Sequence, residues 1–109
     1  MSMDSKILTA VKTVVSECKP NIYEGTSKEY AVYTYSQFPV IHADGRPDAI
    51  RYSIFVHLYL PKGVNPNAKK KLLANALLNA GFTYPSIVNA SDSNGQHYSF
   101  ECQAVDGDV

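Results

Sequence analysis

Three histidines, two cysteines and ten acidic side chains hold whatever chemistry this chain of 109 residues could perform. His42, His57 and His97 stand far apart, and no HxH, HxxxH or HExxH spacing puts two of them on one local element as metal ligands. His57 reads as a half-buried surface histidine. Cys18 and Cys102 sit in neither a CxxC nor a CxxxH spacing, which excludes a local zinc or dithiol redox motif. Each falls on an apolar stripe, so both read as reduced, buried small hydrophobes rather than as a disulfide pair. Hydrolysis has no local signature either: there is no GxSxG, and neither cysteine has a catalytic context. Asp44 with Asp48, or Asp92 with Glu101, could pair as carboxylates. Asp44 and Asp92, however, occupy turn sequences, and Asp106 and Asp108 lie in a polar "DGDV" that reads as a frayed end. The basic run "AKKKL" at 68–72 fans its lysines over about 200° of a helix and reads as a solvated helix start rather than a phosphate site. No GxxxxGK[ST] or GxGxxG supports nucleotide binding. The expectation is a protein without catalytic, cofactor-binding or metal residues.

The bulk properties agree. A chain this short holds one domain, since a second core would be too small to fold alone. Ten basic residues balance ten acidic ones, which argues against a sequence-specific or general nucleic-acid binder and suits a protein that assembles. Eight tyrosines and no tryptophan are present, and tyrosine is enriched at interfaces as a large amphipathic contact. The opening "MSMDSK" lacks a signal peptide's apolar run and no stretch approaches membrane-spanning length, so a soluble protein of a reducing compartment is expected.

The elements that position these residues follow from periodicity. "DSKILTAVKTVVSECKP" reads as a helix capped by Asp4 or Ser5, with Ile7, Val11, Val14 and Cys18 on its stripe and Pro20 as its end. "NIYEG" is a short strand candidate. "KEYAVYTYSQF" and "RYSIFVHLYL" alternate with period two and flank "PVIHADGRPDAI", whose Asp44-Gly45 is a hairpin signal. Pro47 cannot donate to a ladder, so fraying or an exposed arm is expected there. A loop centred on Asp44-Gly45 makes paired positions sum to 89, so Tyr30 faces Tyr59, Val32 faces His57, Thr34 faces Phe55 and Phe38 faces Arg51. An odd loop would swap the face of the first strand. Asn65 as N-cap with Pro66 behind it opens a second helix, which buries Leu72, Leu73, Ala76, Leu77 and Ala80 and ends at Gly81. "FTYPSIVNA" and "QHYSFECQAV" are two further strands. In the second, Tyr98, Phe100, Cys102 and Ala104 alternate with His97, Ser99, Glu101 and Gln103.

The order α-β-β-β-α-β-β predicts an α+β domain over 1–109, both helices on one face of a mixed or antiparallel sheet, with 1–4 and 106–109 frayed. In "RYSIFVHLYL" the face Ile54, Val56, Leu58, Leu60 belongs to the core. The opposite face holds Arg51, Phe55, His57 and Tyr59, joined by Tyr30 and Val32, and nothing in the chain is left to cover it. The hairpin tip, with Val40, Ile41 and Ile50 near Asp44, Gly45 and Pro47, is more apolar than a free loop. A hairpin this long should overshoot the other strands.

Three stretches, "RYSIFVHLYLPKG", "KKKLLANALLNAGFTYP" and "NGQHYSFECQAVDGD", together with the element order and the long hairpin, resemble the tail terminator (tail completion) proteins of long-tailed bacteriophages and their prophage relatives. The resemblance spans residues 6–106 and rests on pattern and length, since that family has no catalytic motif. It implies a small subunit forming a ring, usually a hexamer, with no cofactor. The ring caps the head-proximal end of the tail tube, ends its polymerisation and presents a surface to the head connector, while DNA passes through it. It implies assembly in the bacterial cytoplasm and a place in the virion. The expected contacts are Tyr30, Val32, Val40, Ile41, Asp44, Arg46, Arg51, Phe55, His57 and Tyr59, against another subunit, the tail tube or the connector. The competing expectations are a small-ligand or catalytic domain using the Phe55, His57, Tyr59 face and a monomeric adaptor for one partner.

Overall fold

The computed structural model describes residues 2–41, 45 and 47–106, with 41, 47, 48 and 106 in backbone only. Two helices and five strands follow the expected order: α1 (Met3–Val11), β1 (Cys18–Pro20), β2 (Tyr30–Ile41), β3 (Pro47–Leu60), α2 (Asn67–Asn79), β4 (Ser86–Asn89) and β5 (Gln96–Asp106). The sheet runs β1-β2-β3-β5-β4. Strand β1 joins β2 in parallel, and every other pairing is antiparallel, so the sheet is mixed and the fold α+β. No helix among the described residues is long and apolar enough to cross a membrane.

The β2–β3 register is the one the alternation predicts. Tyr30 pairs with Tyr59, Val32 with His57, Thr34 with Phe55 and Phe38 with Arg51. Pairs keep the sum of 89 as far as Val40 and Ala49, then slip by one so that Ile41 meets Pro47. A bulge at this point absorbs an odd connection without turning the strand over. Gly45, with φ of 79°, supplies the positive φ expected of the turn. Pro47 does not fray the ladder but opens β3, a position where its missing N–H is tolerated. His42, Asp44, Arg46 and Asp108 lie outside the described residues.

One face of the sheet and both helices make the core. Ala31, Tyr33, Ile54, Val56, Leu58, Leu60, Tyr98, Phe100 and Cys102 are buried there against Met3, Ile7, Ala10 and Val11 of α1 and Leu73, Ala74 and Leu77 of α2. A pair of hydrogen bonds pins α1 to β2: the Tyr33 hydroxyl donates to Asp4 Oδ1 at 2.7 Å and the Tyr35 hydroxyl to Oδ2 at 2.9 Å. Asp4 therefore faces the sheet. The cap is Ser2, whose Oγ accepts from the Ser5 N–H at 3.1 Å. Residues 3 and 4 are helical rather than frayed.

Other local expectations are corrected. Helix α1 stops at Val11, and Cys18 opens β1 instead of closing the helical stripe. The β-branched run Thr13, Val14, Val15 is a weak helix continuation, and the parallel pairing Cys18–Ala31, Lys19–Val32, Pro20–Tyr33 takes the chain instead. "NIYEG" is consequently not a strand. Helix α2 starts one residue later than expected, with Pro66 at its N-cap, while Asn65 Oδ1 accepts from the Asn67 N–H at 3.0 Å. Its buried side is turned accordingly: Ala74 is buried, whereas Leu72 and Ala80 are exposed. The lysine run is not simply solvated. Lys69 Nζ meets Glu29 Oε1 at 2.7 Å and donates to the Val14 carbonyl at 3.1 Å, and Lys70 Nζ lies 4.6 Å from the Tyr98 ring centroid.

Strand β5 accompanies β3 as far as the Ile50–Asp106 pair, so Asp106 is part of the ladder and not of a frayed tail. The hairpin overshoots the sheet: among the described residues, β2 and β3 extend without β5 from Val40 to Ala49. The extension shapes the molecule. Its radius of gyration is 15.1 Å, against about 13 Å for a compact chain of this length.

Candidate interaction face

The period-two alternation of β2, β3 and β5 sends every second side chain to the face opposite the helices. Registers then decide which of them meet. Tyr30 and Tyr59 are direct cross-strand neighbours, as are Tyr59 and His97. The result is a continuous row of rings across three strands. Tyr23 stacks on Tyr30 at 4.2 Å between centroids, Tyr30 on Tyr59 at 4.7 Å, and Tyr59 on His97 at 4.3 Å, all with planes within about 16° of parallel. Offset aromatic stacking of this kind contributes roughly 0.5–1.5 kcal/mol per pair beyond the area it buries.

Tyr23 enters the row from the loop after β1. Its hydroxyl accepts from the Ser27 N–H at 2.9 Å, and its ring lies so close over Gly25 that a Cβ there would run into the phenol. Residues 21–23 thus cover one end of the face that was expected to lack any cover within the chain. Val32, expected to be an exposed contact, is only 8 % exposed. Tyr30, Phe55, His57 and Tyr59 are half-buried. Asn21, Ile22, Tyr23, Tyr30, Val32, Thr34, His57, Tyr59 and His97 line a shallow concavity of about 330 Å³.

His57 and His97, forty positions apart, meet at the other end of the row. His57 Nδ1 lies 3.0 Å from His97 Nε2, so one ring carries the proton and the other accepts it. Burial, and then the neighbouring His97, hold His57 below its ordinary pKa of 6.5. Burial lowers His97 as well, with Asp92 pulling the other way. Both rings are therefore neutral at pH 7. Tyr59 is pushed up, first by burial and then by Tyr30 and Asp92, and stays a phenol.

Toward the hairpin arm the same face turns openly apolar. Phe38, Val40 and Val105 are 44, 38 and 67 % exposed, and the Arg51 guanidinium carbon lies 5.7 Å from the Phe38 ring centroid. The outer edge of β2 is also open beyond β1. The Ala31 N–H and Tyr33 C=O face β1 through bonds to the Glu17 carbonyl and Asn21 N–H, so the backbone N–H and C=O groups of odd-numbered residues point to this edge. Pro39 occupies one of these outward positions, where it removes a donor from an edge that would otherwise invite strand pairing.

Of the expected contact residues, the fold gathers Tyr30, Val32, Phe55, His57 and Tyr59 in one region and sets Arg51 and Val40 further along the same face. Ile41 is described in backbone only. Tyr23, His97 and Val105 join the face without having been expected. Tyr23 carries no periodic signal because it lies in a loop. His97 was legible only in part: alternation put it opposite Tyr98, but its neighbours depend on β5 lying beside β3. Among the described residues, no group of three or more His, Cys, Asp or Glu side chains could hold a metal ion. The thiols are buried, with burial pushing Cys18 up to about 11 and Cys102 to about 12.

No protein-family model matches the chain, and no curated protein matches it.

Proposed function

We propose that the chain is a structural subunit whose ring-lined sheet face is covered by another copy of itself, and that it acts as a tail terminator of a long-tailed bacteriophage or prophage. The supporting observation is the continuous exposed side of the sheet, half-buried rings at one end and Phe38, Val40 and Val105 at the other, on a chain of zero formal charge. A side of this kind on a lone molecule is a liability for nonspecific association. A head-to-tail contact that closes into a ring removes it without making open fibres. In this reading the protein is not an enzyme. It caps the head-proximal end of the tail tube in the bacterial cytoplasm, joins the tail to the head connector and stays in the virion.

Light scattering over a wide concentration range, with negative-stain images in the presence of tail tube protein, tests the reading. A closed oligomer, free or formed on tube ends, is the expected result. A strict monomer that also leaves tube ends bare would contradict it. The second reading, a small-ligand domain, draws on a groove of about 600 Å³ beside Tyr30, Tyr59 and His97, flanked by Lys28 and Lys62. It predicts a monomer at all concentrations.

A further inference from the structure

We infer that, in the unassembled chain, His57 and His97 form a two-imidazole chelating site for a divalent late first-row transition cation of the zinc class. Two nitrogens bound to one cation at about 2.0–2.1 Å lie roughly 2.9–3.4 Å apart across a right or tetrahedral angle. His57 Nδ1 and His97 Nε2 are 3.0 Å apart, inside that window. Imidazole is also the ligand type this class of cation selects over the harder magnesium and calcium.

The rest of the site favours occupancy. The register places the two histidines on adjacent antiparallel strands, His57 opposite Ser99 and His97 opposite Tyr59, so they are diagonal neighbours on one face. Backbone ladders fix their Cα positions, and the Tyr59 ring stacked on His97 at 4.3 Å holds that imidazole in place. Both rings line the concavity of about 330 Å³, so a cation would keep positions open to water. Asp92, whose carboxylate acts on His97, adds attraction. Binding needs no net proton release at neutral pH. The proton between the rings moves to an outer ring nitrogen, and each inner nitrogen gives its lone pair to the metal.

The test is calorimetric titration of the full, untagged chain with zinc chloride at pH 7.5, alongside His57→Gln, His97→Gln and His42→Gln. The expected result is one zinc per chain, bound at least about tenfold more weakly by each of the first two variants and unchanged in His42→Gln. Zinc should also raise the melting temperature of the wild type and His42→Gln only. Absence of binding to the wild type overturns the inference. So does binding of unchanged affinity in His57→Gln or His97→Gln, or loss of binding in His42→Gln. Circular dichroism of each variant keeps a folding defect from passing as lost binding: if one histidine variant does not fold, the other decides.

Discussion

Tyr30 and Tyr59 stand opposite each other on β2 and β3 with ring centroids 4.7 Å apart and planes 16° from parallel, on the side of the sheet away from both helices. Neither ring is buried, yet each is stacked on both faces, by Tyr23 and Tyr59 in one case and by Tyr30 and His97 in the other. The row is therefore ordered before any partner arrives. A surface already fixed in shape loses less side-chain entropy on association.

Replacing Tyr59 by Ala removes both of its stacks. Two lost pairs predict a stability loss of about 1–3 kcal/mol, with the fold retained because the helix side of β3 is untouched. Association should fall much more than stability does. Denaturant unfolding and sedimentation on the same variant separate the two.

Gly25→Ala should act on the row without touching it. The new methyl displaces the Tyr23 ring that lies over Gly25, which uncovers one side of Tyr30. Global stability is expected to change by about 1 kcal/mol, while the Tyr30 ring resonances shift in an NMR spectrum. Unchanged resonances would mean Tyr23 does not rest there in solution.

The Asp4 pin predicts an asymmetric pair of variants. Tyr33 is buried and Tyr35 half-buried, so Asp4→Ala leaves one hydroxyl out of water with no acceptor and should cost about 1–3 kcal/mol. Tyr35→Phe removes one bond whose partner can turn to water, and should cost nearer 1 kcal/mol. Chemical denaturation checks both.

The histidine pair gives stability a pH dependence of definite sign. Both folded-state pKa values lie below the ordinary 6.5, so the unfolded chain takes up protons first as pH falls. Stability is full above about pH 6.5, declines as pH drops through the interval down to the lowered folded values, and levels off once the folded rings are protonated. In His57→Gln combined with His97→Gln this decline should be absent. Melting temperatures between pH 7.5 and 5 measure it.

How much of this was legible in the sequence depended on the range of the interaction. The β2–β3 register followed from one turn and two alternating runs, because a hairpin is a local object. Cys18 was misplaced because its strand exists only by pairing with Ala31 thirteen residues on. Leu72 was misplaced because a helix offers several plausible apolar stripes, and the sheet chose the one containing Ala74. The meeting of His57 and His97 was invisible to spacing rules for a similar reason. It is set by β5 lying between β3 and β4, which no local pattern states.

The central claim is that another molecule covers the sheet face opposite the helices. Hydroxyl-radical labelling of the protein, dilute and then assembled with itself or on tail tubes, tests it residue by residue. The account predicts that labelling of Tyr30, Phe38, Phe55 and Tyr59 falls on assembly, while Leu72 and Leu78, exposed on α2, stay as reactive as before. Protection of the α2 residues with the sheet face unchanged would contradict it.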